Sequence, residues 1–183
     1  MAKRLVLASL LAAAAVLAAS AVDTQLTLHN LYPFPVYPLV TPNDDSPAIS
    51  CDNTDILEGN GRGLVSCPFP PTKWAGHVVA RTVCTSLNCE TGMGPPETVV
   101  QLVVHSPDAE DLATYSVSLV EGFNVGAVRV IGNGGGVVAC KGDAGYFKQG
   151  CPLTRVNGSD VAPVRQNCLG PRELKVVFCQ TTI

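Results

Sequence analysis

The chain has 183 residues with 12 basic against 15 acidic side chains, a net charge of −3, and 17 Gly, 14 Pro and 8 Cys. Its long apolar run, Leu5–Ala19, is broken by Ser9 and is shorter than the ~20 residues a membrane helix needs. An acidic balance also argues against a dedicated nucleic-acid or anionic-membrane binder, whose affinity would come mostly from Lys and Arg.

The chain opens with Lys3 and Arg4, continues through the apolar run, and reaches the small-residue triplet Ala19-Ser20-Ala21. These are the three parts of a secretory signal peptide. Cleavage is expected after Ala21, giving residues 1–21 as the signal and 22–183 as one domain. Losing Lys3 and Arg4 leaves ten basic against fifteen acidic residues, a mature net charge of −5. The mature length suits one domain, which at this size buries ~70% of its chain surface. No internal repeat interrupts it, and a secreted monomer without membrane insertion is expected.

Beyond the signal, Gly and Pro punctuate short β-branched runs, the mark of an all-β domain. Leu26 and Leu28 alternate with Gln25, Thr27 and His29. Between Tyr32 and Pro71 eight prolines and Asp44-Asp45 predict a loop-rich stretch. Val78–Val83 is a second strand, and Thr98–Val104 a third, with Val100, Leu102 and Val104 on one face and Gln101 on the other. Tyr115, Val117 and Leu119 alternate with Ser116 and Ser118 in a fourth. Val128 and Val130 flank Arg129, and Leu174, Val176 and Phe178 flank Lys175 and Val177. Period-two alternation gives each strand one core face, so two packed antiparallel sheets are expected.

All eight cysteines, Cys51, Cys67, Cys84, Cys89, Cys140, Cys151, Cys168 and Cys179, follow the signal. An even count in an exported chain reads as disulfides, although four bridges allow 105 pairings. No C-x-x-C pair occurs, and His29, His77 and His105 stand apart from the cysteines, so neither metal nor another cofactor is expected. Gly132-Asn133-Gly134-Gly135-Gly136 lacks a following G-K-[ST] and reads as a turn rather than a phosphate cradle. Asp108, Glu110 and Asp111 read as a solvated hairpin loop. Asn157-Gly158-Ser159 is a glycosylation sequon that could equally be an unmodified turn. No G-x-S-x-G or H-E-x-x-H pattern supports nucleophile or zinc chemistry.

Tyr115-Ser116-Val117-Ser118-Leu119-Val120-Glu121-Gly122-Phe123-Asn124-Val125 closely resembles the "Y-D-V-S-L-V-D-G-F-N-L/V-P" signature of the thaumatin-like family. Ala80-Arg81-Thr82-Val83-Cys84 is similar to its "A/G-R-T-x-C", and Pro95-Pro96-Glu97-Thr98-Val99-Val100-Gln101 to its "P-P-x-T-L-A-E". Leu26-Thr27-Leu28-His29-Asn30 resembles "F-T-V-x-N", and Leu174-Lys175-Val176-Val177-Phe178-Cys179 resembles "Y-x-V-x-F-C". Order and spacing agree across roughly residues 24–179. The length is similar to that of the small family members of cereal grasses, one subgroup of which inhibits microbial xylanases.

The resemblance implies a disulfide-stapled antiparallel β-sandwich, an apoplastic location and a role in plant defence. It pairs Cys84 with Cys89 and Cys140 with Cys168, leaving Cys51, Cys67, Cys151 and Cys179 for two further bridges. Tyr32 stands where the family carries the usual partner of the last cysteine. Larger members line a cleft with an Arg and four acids, and some bind or cleave β-1,3-glucans. Arg81 matches the Arg, Glu121 keeps a carboxylate in place of Asp, and Asp143 aligns with the last acid. Gln101 and Ser116 stand where Glu and Asp are usual. Two lost carboxylates argue against catalysis and for binding, to a microbial xylanase or, alternatively, to cell-wall β-glucan.

Overall fold

A computed structural model describes residues 23–50, 56–85, 88–106, 111–125, 127–134, 144–147 and 165–178. The signal segment, Cys51, Cys140, Asp143, Cys151, Asn157 and Cys179 lie outside the described residues. Every regular element among the described residues is a strand: β1 Gln25–Asn30, β2 Tyr37–Pro42, β3 Gly63–Pro68, β4 Trp74–Thr85, β5 Asn88–Thr91, β6 Val99–Ser106, β7 Leu112–Ser118, β8 Ala127–Gly134, β9 Ala144–Phe147, β10 Gln166–Leu169 and β11 Pro171–Phe178.

The strands form two sheets. One runs β3-β1-β11-β8-β9; the other runs β10-β7-β6-β4-β2, with β5 paired to β4 alone. Alternation does what it should in β6, where Val100, Leu102 and Val104 are buried while Gln101 is exposed. Leu26, Leu28, Val128, Val130, Leu174, Val176 and Phe178 of the first sheet join Trp74, Val78, Ala80, Val100, Leu102, Ala113, Tyr115 and Val117 of the second in one core. The indole of Trp74 is fully buried, stacks obliquely on Phe69 at 5.1 Å, and donates its N–H to the Pro47 carbonyl at 2.9 Å. That bond spares the ring's polar atom the cost of unpaired burial.

The expectation of purely antiparallel sheets is corrected at one place. β1 and β11 are parallel neighbours, Leu26 opposite Leu174 and Asn30 opposite Phe178. The chain crosses between the sheets repeatedly: β2, β4–β7 and β10 belong to the second sheet, so β1 and β11 reach each other only after most of both sheets has been laid down. A direct hairpin, which would force antiparallel pairing, never links the two.

Two loop expectations are also corrected. The proline-rich stretch holds β2 and β3, both at sheet edges, where prolines such as Pro38, Pro42 and Pro68 cost no central ladder bond. Gly132, Asn133 and Gly134 continue β8 against β11 instead of turning, with a register shift between Pro171 and Glu173. Leu119 falls just past β7, and Ser116 and Ser118 are as buried as their apolar neighbours. Of the acids expected in a hairpin loop, Asp108 and Glu110 lie outside the described residues; Asp111 precedes β7, which pairs with β6, and its Oδ1 lies 2.6 Å from His105 Nδ1.

Asn30 ends β1 fully buried and organises the loops packed around that end. Its Nδ2 donates to the carbonyls of Phe34 (2.8 Å), Leu57 (2.8 Å) and Glu58 (3.4 Å), while its Oδ1 accepts the Tyr32 N–H at 3.0 Å. Two separate loops are thereby tied to one side chain. Gly63 is required beside them, because a Cβ there would sit 2.5 Å from the backbone of Glu58.

Candidate functional site

The outer face of the second sheet forms an open cleft of about 790 Å³. Strand register explains its floor. Thr41, His77, Gln101 and Ser116 lie opposite one another on β2, β4, β6 and β7, a polar rung across four strands. Ser116 Oγ donates to Gln101 Oε1 at 3.2 Å, so these two side chains satisfy each other. Thr114 and Ser118 flank Ser116 two residues away on the same face, and Arg165 stands at the β10 margin.

Glu97 and Glu121 form the opposite lip. The Glu97 N–H donates to the Glu121 carbonyl at 3.2 Å, and the Gly122 N–H closes a turn onto Leu119 at 2.9 Å. Gly122 has φ of 89°, and a Cβ there would also press 2.8 Å from Pro96. Asn124 pins the lip to the sheet. Its Oδ1 accepts the Thr98 N–H at 3.0 Å, and its Nδ2 donates to the Ala80 carbonyl at 2.6 Å and to Thr91 Oγ1 at 3.0 Å. Gly122 and Asn124 thus position Glu121 on the cleft lip.

The structure brings Gln101, Ser116 and Glu121 to one cleft. Arg81 shares their sheet face but not their cleft. Its guanidinium donates to the carbonyls of Tyr37 (3.2 Å, Nε) and Pro38 (3.4 Å, Nη2), fastening edge strand β2 to β4. Its expected place beside the acids is therefore corrected to the sheet edge. Asp143 lies outside the described residues. Glu97, His77 and Arg165 were missed. His77 had a signal, since extending the Val78–Val83 alternation by one residue puts it on the Arg81 face. Glu97 and Arg165 join only through tertiary pairing.

A second, smaller concavity lies at one end of the molecule. Phe34, Pro35, Tyr37, Thr82, Val83 and Cys84 line a notch of about 300 Å³, with Phe34 43% and Val83 62% exposed. Its first wall is the loop that Asn30 holds, stiffened by the Tyr32–Phe34 ring stack at 4.8 Å. Its second wall is the β4–β5 arm, closed by the Cys84–Cys89 disulfide. This pairing agrees with the one the family resemblance implies. Cys67 and Cys168 are also disulfide-bonded and buried in the core.

Two β-sheets, bridged cysteines, and a cleft with Glu121 on its lip define a disulfide-stapled β-sandwich. The thaumatin family model matches residues 30–180, and the chain belongs to that family. An osmotin-like protein of Solanum lycopersicum is 28% identical, with 84% of this chain and 88% of that protein aligned. The alignment, 230 residues, exceeds the chain's 183, so that relative carries insertions absent here. The crystal structure of the protein elicitor MoHrip2 from Magnaporthe oryzae superposes with a TM-score of 0.52 at 17% identity, covering 86% of this chain and 99% of that one. At that identity the likeness concerns the fold.

Proposed function

We propose that this is a secreted, monomeric plant defence protein that acts by binding, without catalysis, and that its target is a microbial xylanase. The observation that carries the reading is the apolar notch. Phe34 and Val83 present exposed hydrocarbon beside the disulfide-closed β4–β5 arm, and aromatic side chains such as Phe34 are enriched at protein–protein interfaces. The cleft supports the non-catalytic half. Glycoside hydrolysis uses two carboxyls facing each other across the scissile bond, ~5–9.5 Å apart. The floor of the cleft holds the neutral Gln101–Ser116 pair at the positions where the resemblance puts two acids.

Titration of purified protein against fungal xylanases tests this. Dose-dependent loss of xylanase activity is expected, weakened at least tenfold by Phe34→Ser. Neither inhibition nor binding of any xylanase would sink the reading. The polar rung favours one alternative, retention on insoluble β-1,3-glucan through the cleft, which His77→Ala and Glu121→Ala would reduce and Phe34→Ser would not.

A further inference from the structure

We propose that the Cys84–Cys89 disulfide is a redox latch on the notch: reduction by a dithiol releases the β4–β5 arm and switches off binding there. The proposal rests on the notch being the binding face and adds its regulation.

Three observations on the arm converge. The first is attachment. β5 pairs with β4 alone, through Thr82–Thr91, Cys84–Cys89 and Thr85–Asn88, outside the path of the larger sheet. The Thr82–Thr91 hydroxyl contact at 2.7 Å and the disulfide are its cross-strand side-chain ties. The second is access. Cys84 and Cys89 are half-exposed and Cys84 lines the notch, whereas Cys67 is 0% and Cys168 1% exposed. A reductant in solution meets Cys84–Cys89 before those core sulfurs, and thiol–disulfide exchange depends on such access. The third is a residue in a strained backbone conformation. Val83, between the two cross-strand ties, has φ of 53°, a left-handed conformation that a β-branched residue adopts only under constraint. Freed from the ring, Val83 relaxes toward extended backbone, and its side chain, one wall of the notch, leaves its place opposite Phe34.

The chemistry balances with a dithiol as the named reductant. One of its thiolates attacks a sulfur of the Cys84–Cys89 bond, which breaks to give a mixed disulfide and one thiolate. The second thiol of the reductant displaces the remaining sulfur. The reductant leaves as its own disulfide, and Cys84 and Cys89 take up two electrons and two protons as thiols.

The test uses the native secreted protein titrated with dithiothreitol. Trapped thiols are mapped by mass spectrometry, hydrogen exchange is followed along the chain, and affinity is measured for an inhibited fungal xylanase. Cys84 and Cys89 are expected to label first and together. Exchange across residues 82–91 should accelerate at least tenfold while β6 and β7 hold, and xylanase affinity should fall at least tenfold, returning on reoxidation with oxidised glutathione. A Cys84→Ser/Cys89→Ser variant should show the weakened affinity at once and no response to dithiothreitol. Labelling of Cys67 or Cys168 before Cys84, or unchanged exchange at 82–91 after reduction, would overturn the latch. If the oxidised protein binds no xylanase, the target assignment fails, and the labelling and exchange results decide the latch without it.

Discussion

Replacing Asn30 by alanine is expected to destabilise the domain out of proportion to the few atoms removed. The side chain serves four backbone groups. Two of them keep other partners, since the Leu57 carbonyl also accepts from Val36 N–H at 3.0 Å and the Glu58 carbonyl from Gly63 N–H at 2.9 Å. The bonds to the Tyr32 N–H and the Phe34 carbonyl are lost. Each buried polar group left without a partner costs about 1–3 kcal/mol. Water reaching the Phe34 side offsets part of this, so Asn30→Ala should cost about 2–4 kcal/mol. With a urea m-value of about 2 kcal/mol/M, the unfolding midpoint should fall by roughly 1–2 M at unchanged slope. Asn30→Asp should be at least as damaging, because it keeps the acceptor for Tyr32 but sets a carboxylate against three carbonyl oxygens. The matched control is Asn133→Ala, an exposed amide bonded to Glu173 at 2.6 Å, which should change stability by less than about 0.5 kcal/mol. An Asn30→Ala midpoint within about 0.3 M of the parent would refute the claim that this side chain holds the two loops.

Gly76→Ala should lower the melting temperature by roughly 5–10 °C, since the new Cβ would lie 2.5 Å from the Thr41 carbonyl oxygen and 2.6 Å from the Trp74 ring; a scanning calorimeter trace shifted by less than about 2 °C would contradict it. Trp74→Ala should cost about 3–5 kcal/mol in urea unfolding, from cavity formation beneath Phe69 and loss of the bond to Pro47. Gln101→Glu alone should be tolerated, because the Ser116 hydroxyl can donate to a carboxylate, whereas Gln101→Glu with Ser116→Asp should destabilise by placing like charges opposite each other on paired strands. That double variant should still release no reducing sugar from β-1,3-glucan; release would show that the two lost acids were all catalysis lacked. Labelling of denatured, unreduced secreted protein should find no free thiol among the eight cysteines, and modification at Cys179 would show that Tyr32 left it unpaired.

The strands that sequence periodicity exposed are those with one wet face and one dry face, such as β6 with Gln101 between Val100 and Leu102. What it hid has physical causes. β2 and β3 carry prolines that argue against a central strand, and only their edge positions make them permissible. Gly132 and Gly134 look like turn residues because nothing local says that β11 lies alongside. The family resemblance grouped Arg81, Gln101, Ser116 and Glu121; the last three line one cleft, while Arg81 bonds to edge strand β2. The carbonyls of Tyr37 and Pro38, which capture the Arg81 guanidinium, come from a strand the pattern concealed. The notch was least visible, since it joins residues some fifty positions apart whose exposure is a property of the assembled surface.

The parallel pairing of β1 with β11 has a consequence for how the protein is made. The two strands that sit side by side in the middle of the first sheet are separated by nearly the whole chain, as the buried bond from Thr24 to the Pro171 carbonyl, 147 residues away, makes plain. A ribosome therefore delivers β1 long before the strand that completes its ladder exists. Until β11 emerges, β1 can pair on one side only, with β3, and presents Leu26 and Leu28 to whatever else is near. Such distant closure makes folding slow and leaves strand edges open meanwhile. The nascent chain must be sheltered until synthesis is nearly finished, and a stop codon placed anywhere before Pro171 should yield an aggregation-prone remnant instead of a smaller domain.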